Sequence, residues 1–295
     1  MYYLLSLLTG ILISAVIAFN GGLAAQYGLY SATVLVHISG LLFIAILVCM
    51  KGEKPFSRKH PYMLYLGGAA NVLTILFASF AFGRISVSAI LALGLLGQSI
   101  AGLIVDQYGL LGMVKYPFAK YKLVGLLLIL AGAASMIDGF EIWAAIIAFA
   151  SGVTFVISRT LNARLASLTG MNISIFYNYF IGLIVSILGF LLLGGGEAAY
   201  PEFGISPFSS YWYIYIGGVV GVFVILLSNI TVPKISAFYL TLLIFIGQVL
   251  SGVLIDFVIS QELSPRYFIG IIFVTTGLCV NLLLDRRRKS ITLTP

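Results

Sequence analysis

Charge is scarce in this chain. Only 8% of its 295 residues are Asp, Glu, Lys or Arg, against about 25% in an ordinary soluble domain. Cysteine is scarcer still. Cys49 and Cys279 stand alone with no C-x-x-C spacing, so neither a disulfide scaffold nor a cysteine metal site is expected. No G-x-x-x-x-G-K-[ST] is present, which removes a phosphate-cradling loop and direct use of ATP. No H-E-x-x-H or carboxylate pair suggests a metalloenzyme. No pattern of interleaved basic and aromatic residues suggests nucleic-acid binding, and neither cofactor nor metal is expected. Proline is absent from the long apolar stretches: seven of the eight prolines fall between them and Pro295 is terminal. That distribution suits continuous helices, which an internal proline would interrupt.

What fills the chain is apolar sequence, 61% hydrophobic by residue with a mean hydropathy of +1.13. Ten apolar segments are predicted, at about 3–24, 32–50, 62–82, 86–105, 122–138, 142–160, 172–193, 212–231, 236–257 and 267–284. Each approaches the roughly 20 residues that cross a bilayer as a helix. The first run lacks a basic leader and a small-x-small cleavage site, so it is read as a membrane helix rather than a signal peptide. With the N-terminus inside, 14 of the 16 Lys and Arg residues fall in inside loops and only Arg84 and Arg266 lie outside. The positive-inside rule therefore places both termini in the cytoplasm. Trp143 and Trp212 then fall at the outer interface, a common position for tryptophan.

An internal repeat organises these segments. Ile85-Ser86, Gly97-Gln98, Gly102 and Val105-Asp106 recur as Ile235-Ser236, Gly247-Gln248, Gly252 and Ile255-Asp256, at a constant spacing of about 150 residues. Asn20, Gly28 and Gly40 recur as Asn162, Gly170 and Gly182 at a spacing of about 142, and Gly125 and Gly132 as Gly270 and Gly277 at about 145. Tyr65-Leu66-Gly67-Gly68 recurs as Tyr215-Ile216-Gly217-Gly218. Five segments per unit is an odd number, so the second unit enters the membrane from the opposite side. The expected fold is all-α integral membrane: ten transmembrane helices as two inverted five-helix repeats. They span 1–137 and 142–288, with a short outer linker at 138–141 and a cytoplasmic tail at 289–295. Inverted repeats are a frequent basis of alternating access, with the site near the midplane.

Gln98 and Gln248 are the first substrate-binding candidates. Each lies about 18 Å into its helix at 1.5 Å per residue, so the pair brackets the midplane. A buried amide needs partners, since leaving it unpaired costs a few kcal/mol. The competing reading is packing, because Gly97-x-x-x-Ala101 and Gly247-x-x-x-Ser251 suit close helix contact. Asn71 also falls near the midplane, and its repeat partner is Gly221, so its polarity is not duplicated. His37 is the one histidine within a predicted segment and matches Tyr179, with Asn178 beside it. Histidine titrates near neutral pH, which makes His37 the coupling candidate and Asn178 and Tyr179 candidate substrate contacts; the competing reading is a histidine bonded to a nearby carbonyl. Asp106 and Asp256 close their segments and are candidates for gating or ion pairing. Asn229, opposite Ser79 across the repeat, ranks lower. Asn20, Asn162, Arg159 and Arg164 are placed toward segment ends, where both arginines are expected to snorkel to the cytoplasmic interface; contact with an anionic substrate is the lesser alternative for them.

The stretch Gly97-Gln98 with Asp106-Gln107-Tyr108-Gly109-Leu110-Leu111-Gly112, following Arg84-Ile85-Ser86, resembles the bacterial five-helix inner-membrane proteins of the domain-of-unknown-function 606 (YdcZ-like) type, in the drug/metabolite transporter superfamily. The chain resembles two such units fused. The second unit departs after Asp256, where Phe257-Val258-Ile259 replaces the Tyr-Gly-Leu run. The resemblance implies a transporter in the bacterial inner membrane with a central cavity lined by segments 1–4 and 6–9, segments 5 and 10 being peripheral. The small multidrug members of that superfamily use a glutamate in the first helix, and the first and sixth segments here hold no acid. The expected function is secondary, alternating-access transport of small organic metabolites or drug-like solutes, with protons or another ion as candidate coupling partners. The protein would act among membrane lipids as a monomer or homodimer. A channel or signalling membrane protein is the alternative. An intramembrane serine hydrolase built on Ser99 and His37 is the remote one, since Ser99 is Val249 in the repeat.

Overall fold

The computed structural model describes residues 1–55, 60–112, 141–194, 212–235 and 237–260, with single residues and short pieces of 115–132 and 269–284. The described chain is helical and contains no strand. Its long helices are α1 (Tyr2–Tyr27), α2 (Leu29–Met50), α3 (Leu66–Ala81), α4 (Val87–Tyr108), α5 (Ile142–Thr169), α6 (Met171–Leu193), α7 (Gly217–Thr231) and α8 (Ala237–Ser260). Single turns at Tyr62–Tyr65 and Trp212–Ile216 lead into α3 and α7. With those turns included, seven helices are long and apolar enough to cross a membrane, and α8 carries a shorter apolar stretch over Leu243–Val258. The predicted segments at 122–138 and 267–284 lie largely outside the described residues.

Local sequence sets the helix ends. One glycine joins α1 to α2 and another joins α5 to α6: Gly28 with φ 84° and ψ 161°, and Gly170 with φ 97° and ψ 159°. Only glycine occupies that backbone region without strain, so the repeated glycine specifies two one-residue reversals. Ser86 caps α4 by accepting a hydrogen bond from the Ala89 N–H at 3.1 Å, and Gly109 ends the helix in the left-handed conformation at φ 62°.

Packing follows a rule of exchange between the halves. Helix α1 lies against α7 and α8, while α5 lies against α3 and α4. Contacts between α2 and α7 are matched by those between α6 and α3, and α2–α6 and α4–α8 close the bundle. Glycines make the closest of these approaches. A Cβ on Gly97 would overlap the Phe149 carbonyl oxygen, and one on Gly247 would overlap that of Leu7. Likewise a Cβ on Gly152 would strike the Gly94 carbonyl and one on Gly10 that of Ile244. Helix α4 is the most enclosed of the seven, with 83% of its most apolar stretch buried against 28% for α1 and 33% for α2. Large apolar side chains such as Leu42, Ile46, Leu191 and Leu192 are left outward on α2 and α6, as a lipid-facing surface requires. Polar side chains are turned inward, toward the centre of the bundle.

Candidate transport cavity

A central cavity lies between the halves, and all eight described helices contribute to its wall. It is narrow, about 90 Å³ measured by the positions open to a water-sized sphere. That is room for several waters, since one needs on the order of 10–15 Å³ on this measure. The wall is apolar for most of its area, with Ile13, Val16, Ile17 and Phe155 among its side chains.

Gln98 on α4 and Gln248 on α8 both line this cavity and both are buried. Gly97 and Gly247 bring their helices against α5 and α1, and the adjacent glutamines reach the space between. Neither side-chain oxygen, Gln98 Oε1 or Gln248 Oε1, has a hydrogen-bond partner. Buried amides are normally satisfied, so these two oxygens are unsatisfied acceptors on residues that line the cavity.

Asn71 and Tyr179 also reach the cavity, but both are engaged. The Asn71 Nδ2 donates to Asn178 Oδ1 at 3.2 Å, and the Tyr179 hydroxyl donates to the Gly218 carbonyl at 2.8 Å. Asn178 is not in the cavity wall; it sits buried in the α3–α6 contact with Nδ2 unpartnered. His37 is likewise behind the wall and fully buried. Its Nδ1 lies 2.7 Å from the Thr33 carbonyl oxygen, which can only accept, so Nδ1 carries the hydrogen and Nε2 is left without a partner. The imidazole is one ring from the cavity, its centroid 5.8 Å from that of Tyr179.

The two acids lie outside the cavity. The Asp256 carboxylate accepts hydrogen bonds from the Val87 and Ser88 amides, each at 2.9 Å, and from the Ser88 hydroxyl. An acid from α8 thus caps the start of α4, where the helix dipole favours negative charge. Asp106 is buried toward the other end of α4 and acts electrostatically on Arg159.

Arg159 is the main correction to the sequence reading. It does not snorkel to an interface: it is 4% exposed and lines the cavity. The sixth apolar segment was expected to end at 160, but α5 continues to Thr169, which carries Arg159 well inside. Its Nη2 donates to Thr241 Oγ1 at 2.8 Å, its guanidinium lies 5.6 Å from the Phe155 ring centroid, and its Nη1 is unpartnered. The same extension brings Asn162 to the cavity, and Asn20 reaches it from α1 with Oδ1 unpartnered. Hydropathy missed these residues because polar side chains depress the average and shorten the segment they belong to. Asn229 is buried with both amide atoms unpartnered, but is not in the cavity wall.

Tyrosine pairs meet at both ends of the bundle. At the α1–α2 junction the Tyr27 and Tyr215 hydroxyls share a short hydrogen bond. At the opposite end the Tyr65 and Tyr177 rings meet edge-on with centroids 4.6 Å apart. Among the described residues no three His, Cys, Asp or Glu side chains gather as a metal site.

Two segments of the chain, 1–135 and 143–280, match the model of a family described as "Putative inner membrane exporter, YdcZ". A solved structure described only as "Crystal structure of protein" superimposes with a TM-score of 0.65 at 18% identity, covering 97% of this chain and 98% of that one. At that identity the likeness concerns the fold alone. No curated protein matches the chain.

Proposed function

The chain belongs to the YdcZ inner membrane exporter family as a tandem of two units, and from that premise we propose that it is a secondary carrier working by alternating access. A multi-pass inner membrane transporter is the coarse function. The finer reading rests on one observation: a buried central cavity built by both halves, with an unpartnered amide oxygen from each at Gln98 and Gln248. The exchanged helix contacts and paired glycines support two repeats inserted in opposite senses, with both termini cytoplasmic as the loop charges suggest. Such halves can trade conformations and open the site to either side in turn. The aromatic contacts at both ends favour a carrier over an open channel. No described hydrogen bond joins Ser99 to His37, so the hydrolase reading gains no support. One chain supplies both halves, which makes a monomer sufficient.

Gln98→Ala and Gln248→Ala test the reading in proteoliposomes. Each is expected to lower solute flux about tenfold, the effect of losing about 1.4 kcal/mol of hydrogen bonding, while leaving membrane insertion and detergent stability near wild type. Normal flux in both variants would remove the central pair from the mechanism.

His37 is the proposed coupling group. Its unpartnered Nε2 is the site for a proton, and Tyr179, whose ring lies against the imidazole, would carry the resulting displacement to the cavity. His37→Phe is expected to flatten the pH profile of transport. An unchanged profile would assign His37 to packing through its Thr33 bond.

A further inference from the structure

Arg159 assigns a charge class to the solute. Because this rests on the cavity being the transport site, the test below separates the two ideas. The guanidinium is the only charged group in the described cavity wall. Among the described residues no carboxylate stands within salt-bridge distance of it. Asp106 acts on it from behind the wall, on α4, and offsets part of its charge without occupying the cavity. An arginine stays protonated in proteins, so this positive charge cannot be discharged by losing a proton. Burying a cation is costly without a partner, and here the guanidinium meets one neutral hydroxyl, Thr241, and one ring, Phe155, among the described residues. Nη1 is left over, buried and unpartnered.

The unpartnered groups around it are of the opposite kind. Gln98 Oε1, Gln248 Oε1 and Asn20 Oδ1 are acceptors without donors, and the remaining wall is mostly aliphatic and aromatic. A solute that satisfies all of these has an anionic oxygen for Arg159, at least one N–H or O–H for the amide oxygens, and a small apolar body. We infer that the cavity takes a small organic anion, a monocarboxylate carrying a hydroxyl donor, with Arg159 as its anchoring cation. A carboxylate accepts from a guanidinium through short charge-assisted bonds, whereas a neutral amide accepts more weakly. A free organic cation would meet Arg159 with like charge.

The probes are 3-hydroxybutyrate, lactate and phenyllactate, each beside its neutral primary amide, with choline as the cationic control. Binding to the purified full-length protein is read by thermal stabilisation, and flux by uptake into proteoliposomes. At least one acid is expected to bind at least tenfold more tightly than its amide and to be transported, with choline inactive. Arg159→Gln should remove that discrimination and Arg159→Lys should restore part of it. The acid–amide comparison on wild-type protein needs no variant, so it stands even if Arg159→Gln folds poorly. Three results would overturn the inference: amides or choline binding as well as the acids, no acid binding, or Arg159→Gln keeping the full preference for the acid. Flux of amides or choline that Gln98→Ala abolishes would overturn the anion class and leave the carrier reading standing. Flux of any probe that neither glutamine variant nor Arg159→Gln alters would instead defeat the carrier reading at this cavity.

Discussion

Gly152→Val is expected to leave little or no stable protein. Gly152 on α5 faces the Gly94 carbonyl on α4 so closely that a Cβ would overlap it, and the obstacle is backbone, which cannot rotate away. The helices would have to separate, breaking packing along the whole α4–α5 contact. Overpacking typically costs 1–3 kcal/mol, and a backbone obstacle on the most enclosed helix places this substitution at or beyond the upper end. Gly102→Ala is the matched control on α4, since nothing lies within 4 Å of a Cβ there. It is expected to be neutral or to gain up to about 1 kcal/mol, the usual preference for alanine in a helix. Thermal unfolding in detergent with size-exclusion profiles reads both. A stable Gly152→Val protein would mean that α4 and α5 are not packed as described.

Asp256→Ala is expected to show the next largest loss. Its carboxylate collects the Val87 and Ser88 amides and the Ser88 hydroxyl, so truncation strands two backbone donors in a buried place. Each stranded donor costs about 1–3 kcal/mol, and the lost charge at the helix start adds roughly 0.3–1 kcal/mol. A total of about 3–5 kcal/mol is expected for Asp256→Ala and a smaller loss for Asp256→Asn, which keeps one acceptor oxygen. In the proposed cycle this clip between α8 and α4 is the gating role of Asp256, and Asp256→Asn should also favour opening at the end that holds Tyr27. Unfolding midpoints close to wild type in both variants would show that the clip contributes nothing.

Much of this was legible in the chain. The recurrence of Gly97-Gln98 as Gly247-Gln248 places two amides in one cavity, because the glycine that allows close packing and the glutamine that needs a partner are neighbours on the same helix. Gly28 and Gly170 mark the reversals for a local reason, a backbone conformation that other residues avoid. The burial of Arg159 in the cavity wall was not legible, and its contact with an anionic solute was only the lesser alternative. A charge near the end of an apolar segment looks interfacial unless the helix is known to continue, and the nine residues from Leu161 to Thr169 that extend α5 contain Asn162 and Arg164, which hydropathy counts against a membrane helix. The role of Asp256 was hidden for another reason: its partners are backbone amides far away in sequence, and no side-chain pattern announces them. His37 and Asn178 were placed near the right helices, but one layer behind the cavity wall, because repeat matching gives depth along a helix and not the face a side chain takes.

The most direct test of the carrier reading is solvent access to the cavity from each side of the membrane. Gln98→Cys would be made with the two native cysteines, Cys49 and Cys279, changed to serine, and labelled in oriented vesicles with a membrane-impermeant thiol reagent applied to one face at a time. Alternating access predicts labelling from either face, with labelling from the Tyr27 side abolished when a Tyr27→Cys/Tyr215→Cys disulfide, formed beforehand, locks that end. Labelling from neither face in the unlocked protein would contradict it, and would make the central cavity a packing defect instead of a path.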